Sequence, residues 1–572
     1  MKVNKTKVAS VLMISTLLVA VGCSSKSESA NPSSSAATPT SSAVGAASPK
    51  EYLTPITISW AAGDNNPLWD DMQSEVGKLI TEKTGISIKA QFPVGGVDVD
   101  IFALMVASNE YPDMVSAKGS VGKLKDAGAL IDLAPLIEEH APNIKKVYSE
   151  YMKRLRWSND DHGIYVLPSA GVNNKYFEAN SGFVLQHAVL KELGYPQIKT
   201  VKDYENALKA YYDKHKTTAD GQPIIPLSLN AGEWQILITT TNPAVATTGA
   251  PDEGEFYIDP QTYEAKFHYL RPEEKEYFRW LNHMHDIGLL DPESFVQKYD
   301  QYRAKVASGR VLGLIDADWD YANEEAVLKK EGKFDQTYAH FPVTLNETYK
   351  RLDFQDFGYL AGTGISITKS AKDPIRVIKF LDFLASDEGQ VLVNWGIEGK
   401  HYKVENGKRV IPDDILTMKI NDNQNFKKTT GVDMYRFGPS YGDGVKDPTG
   451  NYYTTVFPEQ IEKEYTQADR ETLAAYNIKN FKDLYPSEQE FPVRPWGAAW
   501  NMNFETGSEA NVLFQKCEDI MKKRIPEAIM VNPDQFDAVW DKFMKDLDKA
   551  GVNKLNEEFT KMVKDRVKLW NQ

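Results

Sequence analysis

The sequence predicts an α/β protein with a parallel sheet, and three observations carry that prediction. Ile56-Thr57-Ile58-Ser59-Trp60 alternates as a strand, a helix follows, and Ile86-Ser87-Ile88-Lys89-Ala90 alternates again, which is a βαβ opening. A second βα unit stands at Gly364–Ala385: Ile365 and Ile367 alternate, a polar turn follows, and Asp373-Pro374 is a favoured helix start. The 572 residues also suffice for two or three domains' worth of core.

The chain opens on a different pattern. Lys2, Lys5 and Lys7 precede an apolar run from Val8 to Gly22, too short for a spanning helix and typical of a signal peptide over 1–22. Small residues then lead to Cys23 in Val19-Ala20-Val21-Gly22-Cys23, a bacterial lipobox with Ala20 where leucine is usual. Cys23 is the expected lipidated residue, and its acyl chains would anchor the protein to a membrane; the alternative is a plain secreted protein with Cys23 free. Residues 24–50 are rich in Ser, Ala, Thr and Pro, bury too little apolar surface to fold, and read as a flexible tether.

In the folded part, Ala61 to Pro67 breaks the first strand, and a helix is expected from Leu68 to Thr84 with Gly85 as its stop. A helix over Ile101–Ser108 leads to Pro112-Asp113-Met114-Val115, and Leu312-Gly313-Leu314-Ile315 reads as a further strand. In the second βα unit, Ile375, Ile378, Leu381 and Leu384 recur at helical spacing, so one face is buried. Near the end, Phe536, Trp540, Met544, Leu547, Leu555 and Phe559 recur at the same spacing and read as packing residues.

The run from Ile365 to Tyr402, with Asp387-Glu388-Gly389-Gln390 and Gly396-Ile397-Glu398-Gly399-Lys400-His401-Tyr402, resembles the signature segment of family 1 extracellular solute-binding proteins. The likeness is to the lipoprotein branch that feeds ABC carbohydrate importers. It implies a two-lobed periplasmic-binding-protein-like fold of type II, hinged between lobes. Residues 51–168 and 342–395 would form lobe 1, and 169–341 with 396–572 lobe 2, the chain first crossing after Gly163-Ile164-Tyr165-Val166-Leu167-Pro168. It also implies a monomer on the extracellular face of a Gram-positive-type cell membrane, with an oligosaccharide ligand and ABC permease subunits as partners.

Other chemistries find little support. The formal net charge of −14 grows more negative when the three leader lysines leave, which argues against nucleic acid as a partner. Two cysteines cannot build a disulfide framework, and Cys517 in an apolar helical run reads as a small buried hydrophobe. No Gly-x-Ser-x-Gly, phosphate-binding glycine loop or His-Glu-x-x-His is present. His283 and His285, two apart, do not share a helix face. Carboxylate groups such as Asp316/Asp318/Asp320 and Glu273/Glu274 are expected by chance among 80 acidic residues. Some members of the resembled family bind calcium at a loop that corresponds here to Lys216–Gly221. Lys216 takes the place of the first carboxylate, so neither metal nor cofactor is expected.

The positive signal is aromatic. A sugar offers an apolar C–H face and a polar rim, so its site needs rings beside hydrogen-bonding side chains. The candidates are Trp60 with Asp64, Asn65 and Asn66; Asp113, which the resemblance places at the cleft; Trp234; Asp318 with Trp319; Trp395; and Trp496 beside Arg494. Ligands of open α/β sheets bind beyond the carboxyl ends of strands, where Trp60 falls. Trp319 follows a strand, and the resemblance to maltose-type binding proteins puts a stacking tryptophan there. Core packing is the alternative for each indole, and hinge packing for Trp395. The expected function is sugar capture by hinge closure without catalysis. Its rivals are an anchored glycoside-active enzyme and a receptor for a peptide or other non-sugar solute that uses Arg494 as counter-ion.

Overall fold

The computed structural model describes residues 54–93, 100–359 and 363–571, so the leader, Cys23 and the tether lie outside the described residues. Two sheets organise the chain from residue 50 onward. The first sheet contains β1 (Ile56–Ala62), β2 (Ile86–Gln91), β3 (Met114–Ser116), β4 (Leu167–Pro168) and β11 (Gly364–Ile367), in the order β2-β1-β3-β11-β4. The second contains β5 (Ser181–Gln186), β6 (Ile225–Ser228), β9 (Val311–Ala317) and β10 (Tyr338–Phe341), in the order β10-β5-β9-β6. A hairpin of β7 (Phe256–Ile258) and β8 (Ala265–Phe267) lies outside both.

The expected parallel sheet is mixed. β1 runs parallel to β2 and β3 with Trp60 opposite Ala90 and Met114, but β11 runs antiparallel to β3 and β4. β11 joins this sheet only after the chain has built β5 through β10, and it enters from the opposite end. In the second sheet β6 and β9 are parallel, while β5 is antiparallel to both β9 and β10.

Each sheet carries its own hydrophobic core, which makes the protein two-lobed. Ile58, Ile88, Met114, Ile365 and Ile367 pack on Val377, Ile378 and Leu381 of the helix Pro374–Ala385. That helix starts where the sequence places it, with the Asp373 carboxylate accepting the Arg376 amide at 3.0 Å. In the second lobe Phe183, Leu185, Leu227, Leu312 and Ile315 join Ile525, Trp540, Phe543, Leu547, Leu555 and Phe559 from three closing helices, Glu509–Met530, Phe536–Ala550 and Val552–Asn571. β9 is buried at every residue, as a strand covered on both faces must be. A Cβ on its Gly313 would sit 2.2 Å from the Tyr204 hydroxyl, which donates to the carbonyls of Val184 and Leu314. Only glycine lets that hydroxyl bridge two strands.

Within residues 396–572, which the resemblance gives to lobe 2, Phe426, Val432, Met434 and Tyr435 pack in the first core, and Tyr435 hydrogen-bonds Ser74 at 2.6 Å. Tyr441–Asp443 lie beside the first crossing: the Val172 amide donates to the Ser440 carbonyl, the Gly442 amide to the Val172 carbonyl and the Lys175 amide to the Asp443 carbonyl. Beyond them Tyr453 still donates to Asp387 and Phe457 packs on Trp395. A Cβ on Gly171 would lie 2.4 Å from the Gly442 Cα, so the two linkers touch backbone to backbone.

Candidate functional site

The carboxyl ends of β1 and β3 open on a cavity of about 410 Å³. Trp60 forms part of its wall. The ring is mostly buried among Trp69, Phe92 and Phe437, with centroids 5.4, 5.6 and 4.9 Å away, and its indole N–H donates to Ser116 Oγ at 3.1 Å. Asp64, Asn65 and Asn66 follow on the same rim. Asp64 pairs with Lys118, Asn66 accepts the Leu68 amide at 3.2 Å, and Asn65 is exposed beside them. Ser116, Lys118, Ser169, Thr363, Arg436 and Phe437 complete the wall and were not foreseen. Arg436 and Phe437 lie far along the chain from Trp60, in a segment without periodicity, so no local signal marks them.

On the second lobe, Trp234 stands in the loop after β6 and Trp319 in the first turn of the helix Asp318–Lys330 that follows β9. Both indoles are more than half exposed, at 53% and 58%. Their planes lie within 5° of parallel with centroids 6.0 Å apart, an offset pair that presents one apolar platform at strand carboxyl ends. Its neighbours are held in place. Glu233 accepts the Tyr299 amide at 3.0 Å and the Lys298 ammonium at 3.2 Å. Asp318 accepts the Tyr321 hydroxyl at 2.9 Å and faces His340 Nε2 at 3.2 Å. Burial opposes both charges of that last pair, but their mutual attraction wins: the Asp318 carboxyl is held below its ordinary pKa and the His340 imidazole above its own.

Beneath the platform, Asp316 and Asp320 are buried, and Asp320 is bonded to Asn230 while Asp316 accepts the Tyr302 hydroxyl. Burial raises the pKa of both, Asp316 the more so because the charge of Asp320 lies beside it. Glu274 is fully buried between Arg271 and His268. These acids brace the fold and do not form an exposed catalytic pair.

Three other predicted residues are placed inside the protein. Asp113 precedes β3, buried, where its carboxylate accepts the Ser59 hydroxyl and amide and the Lys372 amide. Burial works against that charge, yet these hydrogen bonds outweigh it and its pKa is lowered. Trp395 is 3% exposed, donates to the Tyr452 carbonyl at 3.0 Å, and packs on Tyr402 and Phe457. Trp496 is 2% exposed and donates to Glu253 at 2.8 Å. The same carboxylate takes Arg494 at 2.7 Å and the Ala499 amide at 2.6 Å, so Arg494 already has its counter-ion. In all three cases the polar atom is consumed within the fold, which the sequence spacing cannot reveal.

The loop at 216–221 does not fit calcium. The Lys216 ammonium lies over the Tyr212 ring at 3.6 Å, and Asp220 bonds back to the Thr218 hydroxyl. Among the described residues no group of three or more His, Cys, Asp or Glu side chains is placed to hold a metal ion.

Two lobes joined by paired linkers, with apolar and polar groups at the strand ends of each, suit capture of a solute. A family model described as bacterial extracellular solute-binding protein matches residues 76–393. The chain belongs to that family. Lipoprotein LipO of Bacillus subtilis (strain 168) is 22% identical over 425 residues, covering 71% of this solute-binding protein and 76% of the relative. The crystal structure of alginate-binding protein AlgQ2 without calcium ion matches with a TM-score of 0.62 at 18% identity, over 91% of this chain and 98% of that one. The S. pneumoniae ABC-transporter substrate binding protein FusA, an EF-hand mutant in complex with fructo-nystose, matches with a TM-score of 0.63 at 17% identity, over 89% and 99%. At such identities these structures establish a shared two-lobed solute-binding fold.

Proposed function

We propose that this solute-binding protein is a lipid-anchored receptor of an ABC importer whose cargo is an oligosaccharide. The observation that carries the sugar reading is the parallel pair of exposed indoles, Trp234 and Trp319, at the strand ends of the second lobe. Large exposed aromatic surface is costly in water unless it serves a partner, and flat apolar rings suit the C–H face of a pyranose. On the first lobe, Asn65, Arg436 and the Asp64–Lys118 pair border the Trp60 cavity and supply donors and acceptors for hydroxyl groups. A glycan that contacts both lobes only when they approach would shift the population toward the closed form, with the Val172–Gly442 linker pair as hinge. Cys23 would carry the anchor and residues 24–50 the tether that lets the lobes reach the permease.

The test is calorimetric titration of the full chain, purified in detergent, with oligosaccharides, monosaccharides and short peptides, followed by analysis of the recovered glycan. We expect an intact oligosaccharide to bind, and Trp319→Ala and Trp234→Ala each to weaken it roughly tenfold while leaving the melting temperature unchanged. Binding of peptides alone would sink the sugar reading, and a shortened glycan would make the protein an enzyme.

A further inference from the structure

A second cavity, of about 530 Å³, meets the first at Lys118. One wall comes from residues 118–168 of the first lobe and the other from residues 501–570 at the end of the chain. Trp157 and Tyr165 stand edge to face in it with centroids 5.9 Å apart. Trp570 lies between two guanidinium groups, Arg154 with its Cζ 4.6 Å and Arg566 with its Cζ 5.3 Å from the ring centroid. Arg156 brings a third guanidinium to the same wall.

Among the described residues none of these three arginines forms an ion pair. Arg566 donates to the Ala498 carbonyl at 3.0 Å and to Asn501 Oδ1 at 2.8 Å, Arg154 reaches only the Tyr359 carbonyl at 3.5 Å, and the Arg156 side chain makes no hydrogen bond. The buried arginines elsewhere in the second lobe behave differently: Arg271, Arg351, Arg494 and Arg524 each face a carboxylate. Acids are not lacking nearby. Asp126, Asp160, Glu505 and Asp565 on the cavity wall are exposed to water, but none pairs with the arginines. Burial draws the pKa of Arg154 and Arg566 down, that of Arg566 to about 10, so both stay charged at neutral pH. In a chain with 80 acidic and 66 basic residues, three partly buried cations that form no ion pair, Asp356 and Glu150 acting on Arg154 and Glu253 on Arg566 only from beyond contact, point to an anion supplied from outside.

The planar fork of a guanidinium matches a carboxylate or sulfate, and the indole and phenol rings beside it match a sugar's C–H face. We propose that this cavity is a subsite for an anionic sugar unit, carboxylated or sulfated, within the captured oligosaccharide. The proposal rests on the oligosaccharide reading and narrows its cargo to acidic glycans. The acidic surface of the protein repels such a glycan in general, so recognition depends on these arginines.

The test is titration of the full chain with tetragalacturonate, its carboxyl-reduced neutral counterpart and a sulfated carrageenan tetrasaccharide. We expect one acidic glycan to bind at least about tenfold tighter than the neutral one, with added salt narrowing the gap. Whether the carboxylated or the sulfated probe shows this preference identifies the anion. Arg566→Gln and Arg154→Gln should each abolish the preference. Arg156→Gln, whose side chain supports no other part of the fold, should reduce it with no change in melting temperature. Equal binding of neutral and acidic glycans, or a preference that survives all three substitutions, overturns the subsite and leaves the sugar receptor standing. Binding of no glycan overturns both.

Discussion

Glu253 shows how a single residue decides what its neighbours are for. Its carboxylate collects Trp496, Arg494 and a backbone amide, and burial lifts its pKa above the ordinary value even against the charge of Arg494. Glu253→Gln would leave Arg494 buried without a charge partner, at a cost of about 3–5 kcal/mol, measurable by urea denaturation. His340 offers a pH test. Its folded pKa lies above the ordinary 6.5 because Asp318 faces it, so its stabilisation is full below pH 6.5 and is lost as pH rises through the elevated value. Melting temperature should therefore fall over that alkaline limb, and His340→Gln should flatten it. At this scale the sequence was a partial guide: Trp60, Asp64, Asn65 and Asn66 share one cavity, and Trp234 and Trp319 share one platform. Trp395 and Trp496, equally aromatic, lie in the interior, where a carbonyl or a carboxylate far along the chain takes their N–H.

At the level of elements, local chemistry was legible where a cap is unambiguous. Asp373-Pro374 marks its helix, and Asp373→Ala should cost about 1 kcal/mol in thermal or chemical unfolding by leaving the Arg376 amide unmet. The first helix is the counter-example. It was expected from Leu68 but begins at Glu75, capped by the Ser74 hydroxyl on the Gly77 amide. Asp71 and Met72 adopt positive φ values of 55° and 63°, which no helix contains, and Asp70 and Asn66 hold the turn by accepting backbone amides. Apolar spacing alone cannot detect a turn made by side-chain acceptors. The antiparallel run of β11 was hidden for a related reason, since strand direction depends on where the chain has been, not on its residues.

Across the whole molecule, the proposed function rests on the relation between two cores. The linker segments around Val172 and Gly442 are tied by backbone hydrogen bonds, and their glycines permit contact too close for any side chain. Closure around a glycan should reduce the radius of gyration in solution scattering, and Trp319→Ala should require more ligand to reach the same compaction. An unchanged radius at saturating glycan would rule out hinge closure.

The α/β class, the order of the main elements and the family signature from Ile365 to Tyr402 could all be read from the chain, because each depends on residues close together in sequence. The assembly of the cavities could not. Phe437 reaches Trp60, and Arg566 shares Trp570 with Arg154, across hundreds of residues. Whether an indole faces solvent or core, and whether an arginine finds a carboxylate, depends on which distant segments tertiary packing brings beside it.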